Sequence, residues 1–100
     1  MMMPERILAR LQALCSDTPA LERLVLFGSR AKGTHKYNSD IDLAAYWNGK
    51  PPADFHSRVD DAVELYSFDL VDANAVANPL LREEIEKYGV VLYEKERQEE

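Results

Sequence analysis

The sequence predicts a small α/β domain, a mixed sheet flanked by helices. Three observations lead there. One hundred residues suit one compact unit with one core. Segments with helical apolar spacing are interspersed with about four short apolar runs of strand length. Glycine and proline punctuate the boundaries, and neither a repeat nor a low-complexity linker interrupts them.

The elements follow in order. Pro4 to Cys15 reads as a helix, with Ile7, Leu8, Leu11 and Leu14 at helical spacing and Pro4 suited to a first turn. Ser16 to Ala20 breaks it. Leu24-Val25-Leu26-Phe27 is a continuous apolar run, hence a buried strand. Gly28 ends that strand, and Ser29 to about Thr34 forms a short helix closed by Gly33. Ile41 to Trp47 is the second strand. After the turn Asn48-Gly49-Lys50-Pro51-Pro52, a helix is expected over Ala53 to Tyr66, burying Phe55, Val59, Ala62, Val63 and Tyr66. Ser67 to Val71 is a third strand. Pro79 opens a helix through Tyr88 that buries Leu80, Leu81 and Ile85; Gly89 caps it, and Val90 to Tyr93 is the last strand. Residues 1–94 make the domain. Residues 95–100 are a charged tail, expected to fray.

Composition narrows the function. The chain carries 12 basic and 18 acidic residues, a net charge of -6. The first fifty residues hold seven Lys/Arg against five Asp/Glu, and the second fifty hold five against thirteen. Such an acidic surface disfavours general nucleic-acid binding. The locally basic stretch of Arg30, Lys32 and Lys36 suits a small polyphosphate instead. A single cysteine, Cys15, excludes a disulfide framework within the chain and fits a reducing, cytoplasmic setting. No apolar run approaches the ~18 residues of a membrane span, and no signal peptide is evident. A zinc site is not expected, because His35 and His56 have no Cys or His at ligand spacing. His35 reads as an exposed loop residue.

The chemistry concentrates in "LFGSRAKGTHKYNSDIDLAAY", residues 26–46. Asp40 and Asp42 are one residue apart at the mouth of an apolar strand, so their carboxylates share a face. Alone they repel. A hard divalent cation removes the conflict, and Mg²⁺ favours one or two carboxylates completed by waters and phosphates. Gly28 allows a tight turn and a close ligand approach. Ser29 opens a helix whose free N–H groups can seat phosphate, and it can also serve as the helix N-cap. Arg30 is the better phosphate partner among the cations, given its rigid fork. Ser39 can cap the loop or help place the ligands. A third acid is expected for two-metal chemistry. Asp69, in "YSFDLVD", faces Asp40 and Asp42 if the third strand pairs beside the second; Asp72, three residues on, points the other way.

The run "GSRAKGTHKYNSDIDL" resembles the signature of the nucleotidyltransferase superfamily that includes DNA polymerase beta. Gly28-Ser29, ten intervening residues, then Asp40-Ile41-Asp42 match that pattern. Arg30-Ala31-x-Gly33, Ser39-Asp40, "SFDLV" and "YGVVLYE" are similar to the minimal nucleotidyltransferases, and the resemblance covers roughly Leu24 to Glu94. It implies a nucleotidyltransferase fold, with Asp40, Asp42 and Asp69 holding two Mg²⁺ ions and Asp69 acting on the attacking hydroxyl. It implies that Gly28 and Ser29, with Arg30 and Ser39, bind the nucleotide. It further implies an antitoxin of a two-gene module that moves AMP from ATP to a hydroxyl of a HEPN-type helical toxin, a tyrosine. Two other functions fit the same residues: neutralisation of the partner by binding alone, or transfer to a small molecule such as an aminoglycoside with a partner subunit. The chain has no room for a polymerase's nucleic-acid-holding domain.

Overall fold

The computed structural model describes residues 2–96. Helix α1 spans Glu5–Ser16 behind Pro4 and buries the stripe Ile7, Leu11, Leu14 and Cys15. Strand β1 follows at Leu21–Phe27, helix α2 at Gly28–Lys32, strand β2 at Ile41–Trp47 and helix α3 at Phe55–Ala62. Strand β3 is Phe68–Asp72. A 3-10 turn at Ala73–Ala75 leads to helix α4, Pro79–Tyr88, and strand β4, Val90–Glu94.

The four strands form one sheet in the order β3-β2-β1-β4. Central β1 is antiparallel to both neighbours, whereas β2 and β3 are parallel. A parallel pair requires a crossover, and α3 supplies it. Central position explains why β1 is apolar on successive residues. Leu24 and Leu26 face a layer containing α1 and α3, with Ile7, Leu11, Leu43, Val59 and Val63. Val25 and Phe27 face the other way, against Ala44, Val76 and Ile85. The first cluster has sixteen buried residues and the second five. Helix α4 therefore covers its side of the sheet only in part, which leaves polar residues room at one end.

Strand β1 starts three residues earlier than its apolar run, because Leu21 is buried opposite Trp47. Trp47 packs edge-on against Phe55, with ring centroids 4.7 Å apart. Helix α3 is shorter than the apolar pattern predicts, starting at Phe55 and ending at Ala62. Val63 is still buried, but Glu64 takes a left-handed backbone with φ 59 and turns the chain. Two arginines of α1 hold that turn: Arg6 and Arg10 each reach the Glu64 carboxylate at 2.9 Å. Tyr66 is half-buried as a result, and Leu65 projects into solvent.

Helix α4 has the predicted bounds. Asn78 caps it by accepting from the Leu80 N–H at 2.9 Å, and Pro79 begins its first turn. Leu80, expected in the core, is 77% exposed; the sheet-facing positions are Leu81 and Ile85. Gly89 ends the helix in ordinary extended backbone with φ -63. Its need for glycine is spatial, since a Cβ there would stand 2.2 Å from the Ile85 carbonyl oxygen and 2.5 Å from Val25. Beyond β4, Lys95 donates its N–H to Glu22 O and its Nζ to Pro19 O, both at 2.8 Å. The remainder of the expected tail, 97–100, lies outside the described residues. Among the described residues no helix is long and apolar enough to cross a membrane.

Cys15 lies in the core, and burial pushes its thiol up to about 12. The thiolate is the reactive form. Native protein at pH 8 is therefore expected to resist iodoacetamide and to label fully once unfolded in denaturant, as read by intact mass.

Candidate active site

The site is built at the end of the sheet where β2 and β3 begin and β1 ends. Ile41, Leu43 and Ala45 of β2 point into the larger cluster, so Asp42, Ala44 and Tyr46 take the face toward α4. In the parallel register Asp42 stands beside Asp69, and Ala45 beside Asp72. Residues beside each other in register share a face, which puts Asp42 and Asp69 together on the α4 side. Asp40 immediately precedes β2. Asp72 serves the fold instead, its Oδ1 accepting from the Asn74 N–H at 3.0 Å to cap the 3-10 turn.

Across the sheet from Asp69, Phe27 of β1 pairs with Asp42, and Gly28 follows at the start of α2. Gly28 has φ 75, a conformation that L side chains rarely adopt. A Cβ built on it would lie 2.2 Å from Oδ2 of Asp42. The carboxylate occupies the space that any side chain at 28 would need. Gly28 is thus favoured by its own backbone, and any side chain there would also have to displace the Asp42 carboxylate.

Asp42 is half-buried, and its carboxyl is raised above its ordinary 3.8. Burial is the largest cause, followed by the negative charges of Asp69, Asp40 and Glu84; Arg30 opposes them. The site therefore holds more negative charge than it can neutralise, and a bound cation would relieve it. Among the described residues no three His, Cys, Asp or Glu side chains, the expected set of Asp40, Asp42 and Asp69 included, are grouped so that they could hold a metal ion together. The register does bring Asp42 and Asp69 together as a pair of hard oxygen donors, and Mg²⁺ takes one or two carboxylates with water and phosphate in its remaining positions. The donor set fits such an ion.

The structure separates the cations. Arg30 is 3% exposed. Its Nε and Nη2 donate to Ser39 O at 3.1 and 2.9 Å, its Nη2 also to Tyr37 O at 3.3 Å, and its Nη1 to Met2 O at 3.0 Å. The fork expected at the phosphates is spent on backbone carbonyls, where it pins the loop that delivers Asp40. Its charge still reaches Asp42. Ser39 supports the same loop, its Oγ accepting from the Lys36 N–H at 2.9 Å. Ser29 sits half-buried in the first turn of α2. Lys32, on the same short helix, pairs with Glu84 of α4 and lies 5.1 Å from the centre of the Tyr88 ring. His35 is half-buried rather than exposed, and its Nδ1 finds no hydrogen-bond partner among the described residues.

Sequence reading did not single out Glu84 and Tyr88. Their signal is faint: Leu81, Glu84, Ile85 and Tyr88 share one stripe of α4 by helical spacing. Nothing in "LREEIEKY" distinguishes Glu84 from Glu83 until the pair with Lys32 is known.

Residues 9–98 match the family model described as polymerase beta, nucleotidyltransferase. The chain belongs to that nucleotidyltransferase family. No curated protein matches its sequence. Among solved structures, this nucleotidyltransferase is similar to a chain of a toxin–antitoxin complex with AMP-PNP. The two are 27% identical, the match covers 88% of this chain and 73% of that one, and the TM-score is 0.71. A structure described as a minimal nucleotidyltransferase is 29% identical over 86% of this chain and 88% of that one, with a TM-score of 0.66. A complex of a tri-AMPylated Shewanella oneidensis HEPN toxin with an MNT antitoxin contains a chain 22% identical to this one. That match covers 93% of this chain and 74% of the other, with a TM-score of 0.67, and shares the fold.

The raised carboxyl makes a stability prediction. A proton held more tightly in the folded state than in the unfolded one favours folding at low pH. The benefit is lost as pH rises through the raised value. Ionised Asp42 is therefore a cost at neutral pH, and Asp42→Asn removes it. The variant is expected to melt above wild type at pH 7 without metal, and the gap is expected to close as pH falls through the raised folded value, where the wild-type carboxyl takes its proton. Gly28→Ala is expected to melt well below wild type, since both its backbone and its Cβ conflict with the native structure.

Proposed function

We propose that this nucleotidyltransferase transfers AMP from ATP to a hydroxyl of a helical HEPN-type partner, a tyrosine, and so acts as the antitoxin of a two-gene module in the cytoplasm. The observation that carries the reading is the register of Asp42 beside Asp69, with Gly28 closing the other flank of Asp42. Solved toxin–antitoxin complexes with this fold, one with AMP-PNP and one with a tri-AMPylated toxin, support the nucleotide and the partner class.

Asp40, Asp42 and Asp69 would hold two magnesium ions, which supply positive charge to the attacking and leaving oxygens. Each remaining step belongs to the chain. Gly28 keeps the backbone low beside Asp42, so a triphosphate can approach the first turn of α2. The N–H groups of that turn, at Ser29 and its neighbours, donate to phosphate oxygens. Arg30 and Ser39 act one step back, fixing the loop that sets Asp40. Asp69 accepts the proton of the incoming hydroxyl. The hydroxyl oxygen bonds to the α-phosphorus, the bond from that phosphorus to the bridging oxygen breaks, and pyrophosphate leaves.

Incubation with α-labelled ATP, Mg²⁺ and the product of the neighbouring gene tests the reading. Label is expected on a partner tyrosine, lost at least a hundredfold in Asp42→Asn and in Asp69→Asn; a loss of that size is about 2.7 kcal/mol of transition-state stabilisation. Full transfer by either variant rejects the catalytic roles. Neutralisation of the partner by a variant lacking all three carboxylates identifies binding alone as the function.

A further inference from the structure

A triphosphate brings several negative charges to an end of the sheet where Asp42 and Asp69 already stand together. The chain's own cations have to supply part of the balance. Of the basic stretch Arg30, Lys32 and Lys36, the fold withdraws Arg30, whose guanidinium is buried against carbonyl oxygens. Lys36 belongs to the loop before β2, where its N–H donates to Ser39. Lys32 remains. It lies one turn beyond Gly28 in α2, so the two residues share a side of that helix. Gly28 is the residue against which the Asp42 carboxylate rests. Lys32 therefore stands on the side of α2 that borders the carboxylates.

That lysine is already engaged. Its Nζ pairs with Oε1 of Glu84, and the ring of Tyr88 lies 5.1 Å away. Glu84 and Tyr88 are one turn apart in α4, so this helix presents both to the same ammonium. The pair is no remote surface contact, because the charge of Glu84 reaches Asp42 and raises its carboxyl. It is also accessible. The Lys32 side chain is 37% exposed and that of Glu84 32%, so an anion can approach them. The helix that carries Glu84 rests on the smaller of the two apolar clusters. A further acid at this end of the sheet adds repulsion to Asp42. The partner it holds is the cation that a triphosphate needs.

We propose that Glu84 stands in for phosphate: it holds Lys32 until a triphosphate displaces its carboxylate, and so sets how tightly the site takes its nucleotide. This rests on the nucleotide reading proposed above. Glu84 is a positioning residue, acting through Lys32 and touching no reacting atom. Two physical reasons favour the exchange. An ion pair this exposed contributes little to stability, so giving it up costs little. A polyphosphate offers the ammonium more charge and more acceptor oxygens than one carboxylate does. No covalent bond changes; one anion replaces another at the same lysine.

Titration calorimetry with a non-hydrolysable ATP analogue and Mg²⁺ tests the exchange in the full chain. Glu84→Gln is expected to bind about threefold tighter than wild type, since Lys32 is released to the phosphates. Lys32→Met is expected to bind about tenfold more weakly. Lys32→Met/Glu84→Gln should match Lys32→Met, because the gain runs through the lysine. Glu83→Gln removes the same charge from the exposed neighbour on α4 and should bind as wild type does. Unchanged or weaker binding by Glu84→Gln makes the pair a mere tie between two helices and overturns the proposal. A gain that survives in the double variant overturns it too, since Glu84 then acts on the carboxylates directly. An equal gain in Glu83→Gln does the same, by reducing the effect to net charge. Wild type that fails to bind the analogue rejects the nucleotide reading and the exchange together. The expected order of affinities, found without AMP transfer to the product of the neighbouring gene, upholds the exchange and rejects only the transfer.

Discussion

The carboxylate of Asp42 rests where a side chain on residue 28 would be, 2.2 Å from the position of its absent Cβ. That contact links the three parts of the site. It favours glycine at the end of β1, so the chain can turn straight into α2. It sets the first residue of that helix against the carboxylate. Asp42 is half-buried there, and burial raises its proton affinity alongside the charges of Asp69, Asp40 and Glu84. The folded protein therefore carries an electrostatic cost that only a cation or a proton removes. Strain of this sort is common where binding, rather than folding, decides which residues persist in a structure.

The two sides of the sheet share the labour unequally. The α1 and α3 side carries most of the buried apolar residues, and with them most of the stability. The α4 side buries few, and its polar end is where the acids stand. A chain of this size has little surplus stability. Concentrating the core on one face leaves the other free for charges that a well-packed interior would reject. Arg30 shows how the two demands are joined. It is buried, yet each carbonyl it satisfies belongs to the N-terminal segment or to the loop before Asp40. Its role is to give a glycine-flanked loop a defined shape.

Much of this was legible in the residues. The bounds of β2 and α4 and the sharing of a face by Asp42 and Asp69 follow from period-two and helical spacing, with the pairing of β3 against β2 as the added condition. Other features depend on contacts between distant segments. The early end of α3 is decided by Arg6 and Arg10, more than fifty positions away in sequence from Glu64. Leu80 is apolar and sits at a plausible core position, but the capped first turn of α4 directs it outward. Arg30 carries the right chemistry for phosphate; only the folded loop shows that carbonyls claim it first. The Lys32–Glu84 pair was illegible for the same reason, since it joins two helices whose approach is set by the sheet.

The central claim is that Asp42 and Asp69 jointly hold divalent cations with the nucleotide. Its most direct measurement is Mn²⁺ binding followed by electron paramagnetic resonance, with a non-hydrolysable ATP analogue present. The predicted result is cation binding in wild type that is sharply weakened in both Asp42→Asn and Asp69→Asn. Full wild-type binding retained by Asp69→Asn would contradict it.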